Sequence, residues 1–107
     1  MTERSLPRFY YHVTTRQAFR AVMRTGLVPW FSWWGREFGG AVFLWASRQS
    51  ADTYSHMFER LGRDPVVLRV RVPSSWVFPD PTPSHGEPSD RLMTFRWLNP
   101  ERLEADP

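Results

Sequence analysis

Three groups of side chains in this sequence have the types and spacing that binding or catalysis requires. In the first group, His12 ends a β-rich run and stands two residues before Thr14, where a helix is predicted to begin. The first turn of a helix offers unpaired N–H donors and positive potential, so a histidine beside it is well placed to bind an anionic or hydroxyl group. A histidine at a strand end can equally satisfy a neighbouring backbone carbonyl, and the sequence leaves both interpretations open.

The second group is a pair of aromatic residues, Phe43 and Tyr54, which are eleven residues apart. Phe43 belongs to the apolar run Ala41–Ala46, which is too short for a buried helix and is predicted to be a central strand. Tyr54 falls in the helix predicted to follow that strand. A strand end and the first turns of the next helix can bring two rings to one cleft, although two ordinary core rings would show the same pattern.

The third group contains the acidic residues that remain once helix-face and terminal charges are set aside. These are Asp80, Glu87 and Asp90, all within or beside a proline-rich loop. Asp90 directly precedes the predicted last strand, and a sheet would hold it more rigidly than the other two. It is therefore the candidate catalytic acid, and its alternatives are a capping role or a solvated loop position.

The composition argues against several kinds of site. The chain has no cysteine, and its three histidines, His12, His56 and His85, do not have metal-ligand spacing, so no metal site is predicted. All fourteen basic residues are arginine, which excludes a catalytic lysine or a P-loop lysine. The glycine-rich dinucleotide motif and the G-x-S-x-G motif are absent as well. A net charge of +3 permits an anionic partner without requiring one.

The elements that must position these residues are strands and helices that alternate along the chain. A length of 107 residues predicts a single domain spanning 1–107. The α+β class is predicted, with a small sheet and two main helices. One helix begins at Thr14 or Thr15 and ends at Gly26, and the other runs from Ser47 to Gly62. Strands are predicted at 9–13, 41–46, 66–72 and 92–97, with a short strand at 27–28 and a turn or short helix at 99–103.

Finer patterns give further expectations. Thr14 and Gln17 have capping-box spacing. The second helix should bury one face made of Ala51, Tyr54, Phe58 and Leu61. The strand at 66–72 should keep one wet face, made of Val67, Arg69 and Arg71.

The segment from Trp30 to Phe38 carries five aromatic residues in a predicted loop. These rings would either fold back as a small core or form a binding rim. Arg36 among them would allow stacking on bases, so nucleic acid is a possible partner. The segment is the candidate for recognising an acceptor.

The stretch from Met1 to Arg8 is polar and charged, which predicts no signal peptide. No run approaches the roughly 20 apolar residues of a membrane span. A cytoplasmic protein with no membrane partner is therefore expected.

Taken together, these motifs resemble the ADP-ribosyltransferase superfamily, in the His-Tyr-Glu-type branch shared by poly(ADP-ribose) polymerases and diphtheria-type toxins. The sequence Tyr11-His12-Val13-Thr14, followed by a helix and Gly26-Leu27, is similar to the family's opening motif. The run from Gly39 to Ala46, with Ala51 and Tyr54 after it, is similar to its second motif. The strand at 66–72 and the ending Leu98-Asn99-Pro100-Glu101 fit its later strands. The resemblance implies a compact split-sheet core with two main helices.

The resemblance also implies roles for individual residues. His12 would bond the 2′-hydroxyl of the ribose that bears nicotinamide, the backbone of Val13 would meet the nicotinamide amide, and Thr14 would touch the other ribose. Phe43, where tyrosine is usual, and Tyr54 would hold the nicotinamide ring. Ala51 stands where some members have a serine that bonds the amide. Asp90 is the nearest match to the family's catalytic glutamate and is one methylene shorter.

The activity implied is transfer of ADP-ribose from NAD, as substrate and without a metal, to a protein, nucleic acid or small-molecule acceptor, with release of nicotinamide. A toxin-like bacterial or phage protein would fit this activity. Three alternatives stay open. The first is a catalytically silent NAD or ADP-ribose binder of the same fold, and the second is a relative acting on 2′-phosphorylated RNA. The third is a small arginine- and tryptophan-rich module that binds nucleic acid.

Overall fold

The computed structural model describes residues 7–29, 41–79 and 90–106, and these form an antiparallel sheet with two α-helices. The helices are α1 (Arg16–Thr25) and α2 (Arg48–Arg60). The strands are β1 (Pro7–Thr15), β2 (Val42–Trp45), β3 (Pro65–Pro73), β4 (Phe78–Pro79), β5 (Arg91–Thr94) and β6 (Leu103–Ala105). Their order across the sheet is β4-β5-β2-β1-β3-β6. The predicted α+β class with two main helices is confirmed.

The longest pairing of the sheet joins β1 to β3. It runs without interruption from Pro7 opposite Pro73 to Thr15 opposite Pro65. Both strands are rich in β-branched or aromatic residues, which pack well on a pleated surface. By contrast, β1 and β2 are paired at one position in the described chain, where Tyr11 lies opposite Trp45. The sheet therefore consists of two paired halves, β4-β5-β2 and β1-β3-β6, and β1 and β2 diverge where the halves meet.

The two faces of the sheet carry two apolar clusters. The first cluster lies on the face covered by α1, where Val22 and Met23 pack against Tyr10, Leu27, Val42, Leu44, Val70, Val72, Val77, Leu98 and Leu103. The second cluster lies on the face covered by α2 and contains Val13, Trp45, Ala51 and Val67, with Tyr54 and Phe58 packed against them. Each helix thus buries its apolar stripe on a different face of the same sheet.

The helix ends agree with most of the predicted capping signals. The Oγ atoms of Thr15 and Ser47 accept hydrogen bonds from the backbone N–H groups of Ala18 and Ser50, at 3.2 and 3.1 Å. The predicted capping box beginning at Thr14 is wrong, because Thr14 is still part of β1 and is buried there. Gly26 and Gly62 follow the two helices with positive φ angles of 88° and 75°.

Several boundaries differ from the sequence prediction. Leu61 is 74% exposed, because α2 ends at Arg60 and the chain turns away before Leu61 can reach the sheet. Val67, expected on a wet face, is buried under α2. The strand predicted at 92–97 is β5, which ends at Thr94. Beyond it, Leu98 pairs with Leu27 as an isolated bridge, where a short strand was predicted.

The end of the chain contains a strand that the sequence did not predict. A 3₁₀ turn at Pro100–Arg102 begins at Asn99, whose side chain accepts from the N–H of Glu101 at 3.0 Å, and this confirms the predicted turn. Leu103 then starts β6, which pairs with β3. A three-residue edge strand has too few alternations to be recognised from its own pattern.

Some expectations concern residues outside the described ranges. The aromatic segment from Trp30 to Phe38 and the acidic candidates Asp80 and Glu87 are among them. Within the described ranges, neither helix has the length and apolar character needed to cross a membrane.

Candidate functional site

A cavity of about 500 Å³ opens where β1 and β2 separate. Its walls come from the end of β1, from β2, from the inner side of α1 and from the middle of α2. Of the predicted site residues, five line it: His12, Val13, Thr14, Phe43 and Tyr54. The structure therefore brings both halves of the predicted site, the histidine group and the aromatic pair, to one place.

His12 bridges the diverging strands. Its ring Nδ1 lies 2.7 Å from the carbonyl oxygen of Phe43. A carbonyl oxygen can only accept, so Nδ1 must carry the proton of this hydrogen bond. Burial lowers the pKa of His12 below its usual value of 6.5, and the bond to the Phe43 carbonyl opposes that change without cancelling it. At neutral pH the ring is thus neutral, with Nε2 left as a hydrogen-bond acceptor.

The two residues after His12 are held by the sheet and the helix cap. Val13 is 6% exposed and belongs to the second cluster, so its main chain is fixed by the packing under α2. Thr14 is buried in β1 opposite Val66, and the next residue, Thr15, caps α1. The cavity wall therefore runs directly from a strand into the first turn of a helix.

The aromatic wall is larger than the pair singled out from the sequence. The Tyr54 ring lies between two others, with centroid distances of 5.0 Å to Trp45 and 5.2 Å to Phe58. Both of these neighbours also line the cavity. Tilted rings at such separations are favourable contacts, so Tyr54 is held in a fixed position. Phe43 stands on β2, two residues before Trp45 and on the same face of the sheet.

Two arginines that the sequence did not single out line the cavity. Arg91 is 6% exposed, and its Cζ atom lies 4.7 Å from the centroid of the Phe43 ring. Arg63 follows α2 and is exposed. The position of Arg91 follows from its register opposite Trp45 in β2, a pairing that local sequence patterns cannot supply. These guanidinium groups bring positive charge to the cavity wall, which suits an anionic group.

Two of the predicted site residues do not line the cavity. Ala51 is a residue of α2 and is fully buried in the second cluster, on the side of the helix that faces the sheet. Asp90 lies beside the start of α2, where its Oδ2 atom is 3.2 Å from the Ser47 hydroxyl. The other carboxyl oxygen, Oδ1, is buried and has no hydrogen-bond partner within the described ranges. Asp90 thus stands at a helix N-terminus, where negative charge is favourable.

The cavity wall contains no Asp or Glu among the described residues. Nor do the described ranges contain a cluster of three or more His, Asp or Glu side chains that could hold a metal ion. What the described cavity offers is a neutral histidine, several hydroxyl groups, an aromatic wall and two guanidinium groups.

Comparison of the chain with protein-family models, with curated proteins and with solved structures gave no match.

Proposed function

We propose that this cavity binds NAD and that the protein is an ADP-ribosyltransferase, with an ADP-ribosyltransferase-like fold. The observation that supports the proposal is the convergence of His12, Phe43 and Tyr54 on one cavity, although they come from three different elements. A volume of about 500 Å³ lies in the usual range for sites that enclose organic ligands. The acceptor of the ADP-ribose is a protein, a nucleic acid or a small molecule.

The proposed binding mode assigns each wall to one part of NAD. The Nε2 atom of His12 accepts a hydrogen bond from the 2′-hydroxyl of the nicotinamide ribose, because Nδ1 is already committed to the Phe43 carbonyl. The backbone of Val13 contacts the nicotinamide amide, and Thr14 contacts the adenosine-side ribose. Phe43 and Tyr54 hold the nicotinamide ring.

Arg63 and Arg91 are the residues of the described cavity wall that suit the diphosphate. A guanidinium group can give two parallel hydrogen bonds to phosphate oxygens, and the bond is strengthened when both groups are charged. In this arrangement the anionic centre of NAD lies near the arginines, while its uncharged ribose lies near the neutral His12.

In the proposed reaction, the N-glycosidic bond of NAD breaks and its electron pair leaves with nicotinamide, which becomes neutral. The ribose carbon passes through an oxocarbenium-like state, a nucleophilic atom of the acceptor forms the new bond, and its proton is lost. Aromatic faces stabilise a developing cation through their quadrupoles. Asp90, as the nearest acidic match, is the proposed catalytic carboxylate and accepts the proton that the acceptor loses.

A second candidate function is a catalytically silent binder of NAD or ADP-ribose. It is favoured by the position of Asp90, which lies beside Ser47 and is not part of the cavity wall. With no carboxylate in the described wall, nucleophile activation would lack its usual group. This candidate predicts NAD binding without release of nicotinamide.

The test is NAD binding and nicotinamide release by the purified protein, measured by thermal shift and by product analysis with and without candidate acceptors. His12→Asn keeps an N–H donor for the Phe43 carbonyl and removes Nε2, so we expect loss of release and at least tenfold weaker NAD binding. The matched control is His56→Asn, because His56 is an exposed α2 residue outside the cavity wall, and it should behave as the parent protein.

Asp90→Asn separates the two candidates. Loss of release with retained NAD binding would support catalysis by Asp90, whereas a thermal shift without release in the parent protein itself would favour the silent binder. If NAD changed neither the thermal stability nor any product, with acceptors present, both candidates would be wrong.

A further inference from the structure

A buried arginine lies over one of the two rings that hold the nicotinamide in the proposed binding mode. Arg91 is 6% exposed, and its Cζ atom is 4.7 Å from the centroid of the Phe43 ring. Both side chains line the cavity. A guanidinium group at this distance from a ring centroid makes a cation–π contact. The aromatic wall of the cavity therefore carries a positive charge before a ligand binds.

The strands fix the position of this charge. Arg91 lies opposite Trp45 of β2, two residues along that strand from Phe43. The side chains of Arg91 and Phe43 are therefore diagonal neighbours on the same face of the sheet. The carbonyl of Phe43 also accepts the hydrogen bond from His12, which holds this part of β2. Because Arg91 is buried in close-packed surroundings, its guanidinium group has little room to move away when a ligand enters.

The charge of the nicotinamide ring decides how this wall interacts with it. The ring of NAD carries one positive charge, whereas the ring of NADH, which has one more hydride, is neutral. A nicotinamide stacked on the face of Phe43 opposite Arg91 would lie about 8 Å from the guanidinium group, since stacked rings are about 3.5 Å apart. At that separation inside a protein, the repulsion between two unit charges changes an equilibrium constant by roughly tenfold or more.

We propose that Arg91 makes this site sensitive to the oxidation state of the nicotinamide, so that NADH binds more tightly than NAD and inhibits the transfer reaction; this rests on the proposed function, which places the nicotinamide against Phe43. NADH cannot donate ADP-ribose, because its neutral ring would have to leave as an anion with the electron pair of the glycosidic bond. The ring of NAD takes the same electron pair and leaves as neutral nicotinamide. NADH is thus a competitive inhibitor, and the activity follows the ratio of NAD to NADH.

The other aromatic residues of the wall would give the opposite preference. The Trp45 and Phe58 rings lie 5.0 and 5.2 Å from the Tyr54 ring, and all three residues line the cavity. Aromatic faces attract cations, so without the charge of Arg91 this wall would favour NAD over NADH. A preference for NADH in the parent protein would therefore point to the arginine and not to the rings.

The test compares the affinities of the purified protein for NAD and NADH, measured by calorimetry without an acceptor. We expect the parent protein to bind NADH roughly fivefold more tightly than NAD, or more. Arg91→Met removes the charge and keeps an apolar side chain over Phe43, so the preference for NADH should disappear. Any contact of Arg91 with the diphosphate is common to both ligands and cancels in the ratio of the two dissociation constants.

The matched control is Arg63→Met, which removes one charge from the same cavity wall. Among the described residues, Arg63 makes no cation–π contact. The control should weaken the binding of both ligands by the same factor and keep their ratio. Arg91→Lys keeps the charge and should keep the preference for NADH. Thermal melts show whether each variant is folded, and Arg91→Gln takes the place of Arg91→Met if the latter is not.

Kinetics give a second readout. In the nicotinamide-release assay, NADH should raise the KM for NAD of the parent protein and leave kcat unchanged. The inhibition constant of NADH, relative to the dissociation constant of NAD, should rise roughly fivefold in Arg91→Met. The same relative rise in Arg63→Met would count against a specific effect of Arg91.

Three results would overturn the proposal and leave the proposed function in place. They are equal affinity for the two ligands or a preference for NAD in the parent protein, an unchanged ratio in Arg91→Met, and an equal change of the ratio in Arg63→Met. Binding of neither ligand to the parent protein would overturn the proposed function, and the role of Arg91 with it.

Discussion

His12 is the residue on which most of the site depends, because one of its nitrogens joins two strands and the other is left for a ligand. The hydrogen bond from Nδ1 to the Phe43 carbonyl closes the gap at the point where β1 and β2 diverge. The sequence allowed two interpretations of this histidine, a carbonyl partner or a ligand-binding group. The structure shows the first, and the tautomer it fixes makes the second chemically possible through Nε2.

The lowered pKa of His12 leads to a prediction about acid stability. The folded protein favours the neutral ring, so between the folded pKa and the unfolded value of 6.5 the unfolded chain binds more protons. The contribution of His12 to the free energy of unfolding is fully present above pH 6.5 and is lost as the pH falls through the folded pKa. The loss is at most about 1.4 kcal/mol per pH unit for one proton.

Urea unfolding at pH 7 and pH 5 measures this effect. The parent protein and His56→Asn should lose more stability between the two pH values than His12→Asn, which cannot titrate at this position. The same fall in stability in all three proteins would show that His12 is not responsible.

Phe43 and Arg91 limit how a cationic ring can be placed. The guanidinium of Arg91 lies over the Phe43 ring, so that face is already occupied by a positive charge. A nicotinamide ring that stacks on Phe43 must use the other face of the ring or displace Arg91. Arg91 is accordingly assigned to the diphosphate in the proposed binding mode, where its charge is favourable.

At the scale of elements, the turn after α1 is the connection that shapes the cavity. Gly26 ends α1 with φ of 88° and ψ of −178°, a conformation that residues with a side chain rarely adopt. Its N–H bonds the carbonyl of Val22 at 2.7 Å, and Leu27 then pairs with Leu98. The glycine thus turns the chain from the helix into a bridge with the segment after β5.

We predict that Gly26→Ala is far more harmful than Gly62→Ala. A Cβ atom at Gly26 would meet the backbone oxygen of Leu98, whereas a Cβ at Gly62 would meet nothing within 4 Å. Both changes carry the strain of a positive φ angle, about 1–3 kcal/mol. The crowding at Gly26 adds about 2 kcal/mol more, because a backbone atom cannot move aside easily.

Thermal or urea unfolding of the two variants measures the difference in the free energy of unfolding. Gly62→Ala serves as the control for strain without crowding. Equal destabilisation of the two variants would mean that the contact between α1 and the Leu98 segment is not as close as the structure shows.

At the scale of the whole molecule, one sheet joins two cores. Leu44 on β2 belongs to the first cluster and Val67 on β3 to the second, and β1 lies between their strands. Because every strand contributes to the same hydrogen-bonded sheet, neither core can be lost without disturbing the other. The predicted single domain is consistent with this arrangement, and a stability measurement can test it.

We predict that Leu44→Ala and Val67→Ala each lower the stability of the whole molecule in a single transition. Leu44→Ala should cost about 2–5 kcal/mol and Val67→Ala somewhat less, because fewer buried carbon atoms are removed. Far-UV circular dichroism and calorimetry should give the same midpoint for each variant. Two separate transitions in either variant would show that the two faces unfold independently.

Local sequence patterns were enough for much of this fold. The glycines after the helices, the caps at Thr15 and Ser47 and the β-branched runs gave the two helices and the main strands, since such signals act within a few residues. The errors were also local. Leu61 fits the helical period, yet the helix ends before it. Val67 alternates along β3 with buried residues, which predicted that it would be exposed. It is buried, because α2 covers that face of the strand.

The candidate site was predicted in part. The resemblance to ADP-ribosyltransferases selected His12, Val13, Thr14, Phe43 and Tyr54, and the structure places all five around one cavity, while their roles stay proposals. Ala51, selected by the resemblance, and Asp90, selected first by its position before the last strand, lie elsewhere. Arg91, Trp45 and Phe58 were missed, because their position in the wall depends on strand register and helix packing.

The sequence by itself determined the two helices and the main strands of this protein and the residues that have the chemistry for a site. Only the tertiary structure decided which of them meet. The pairing of β5 with β2 put Arg91 over Phe43, and the contact of Asp90 with Ser47 took the expected acid away from the cavity wall. The Trp76 ring likewise contacts the guanidinium groups of Arg96 and Arg102, which are 20 and 26 positions further along the chain. Local preferences act between neighbours in sequence, whereas these contacts depend on how a whole sheet assembles.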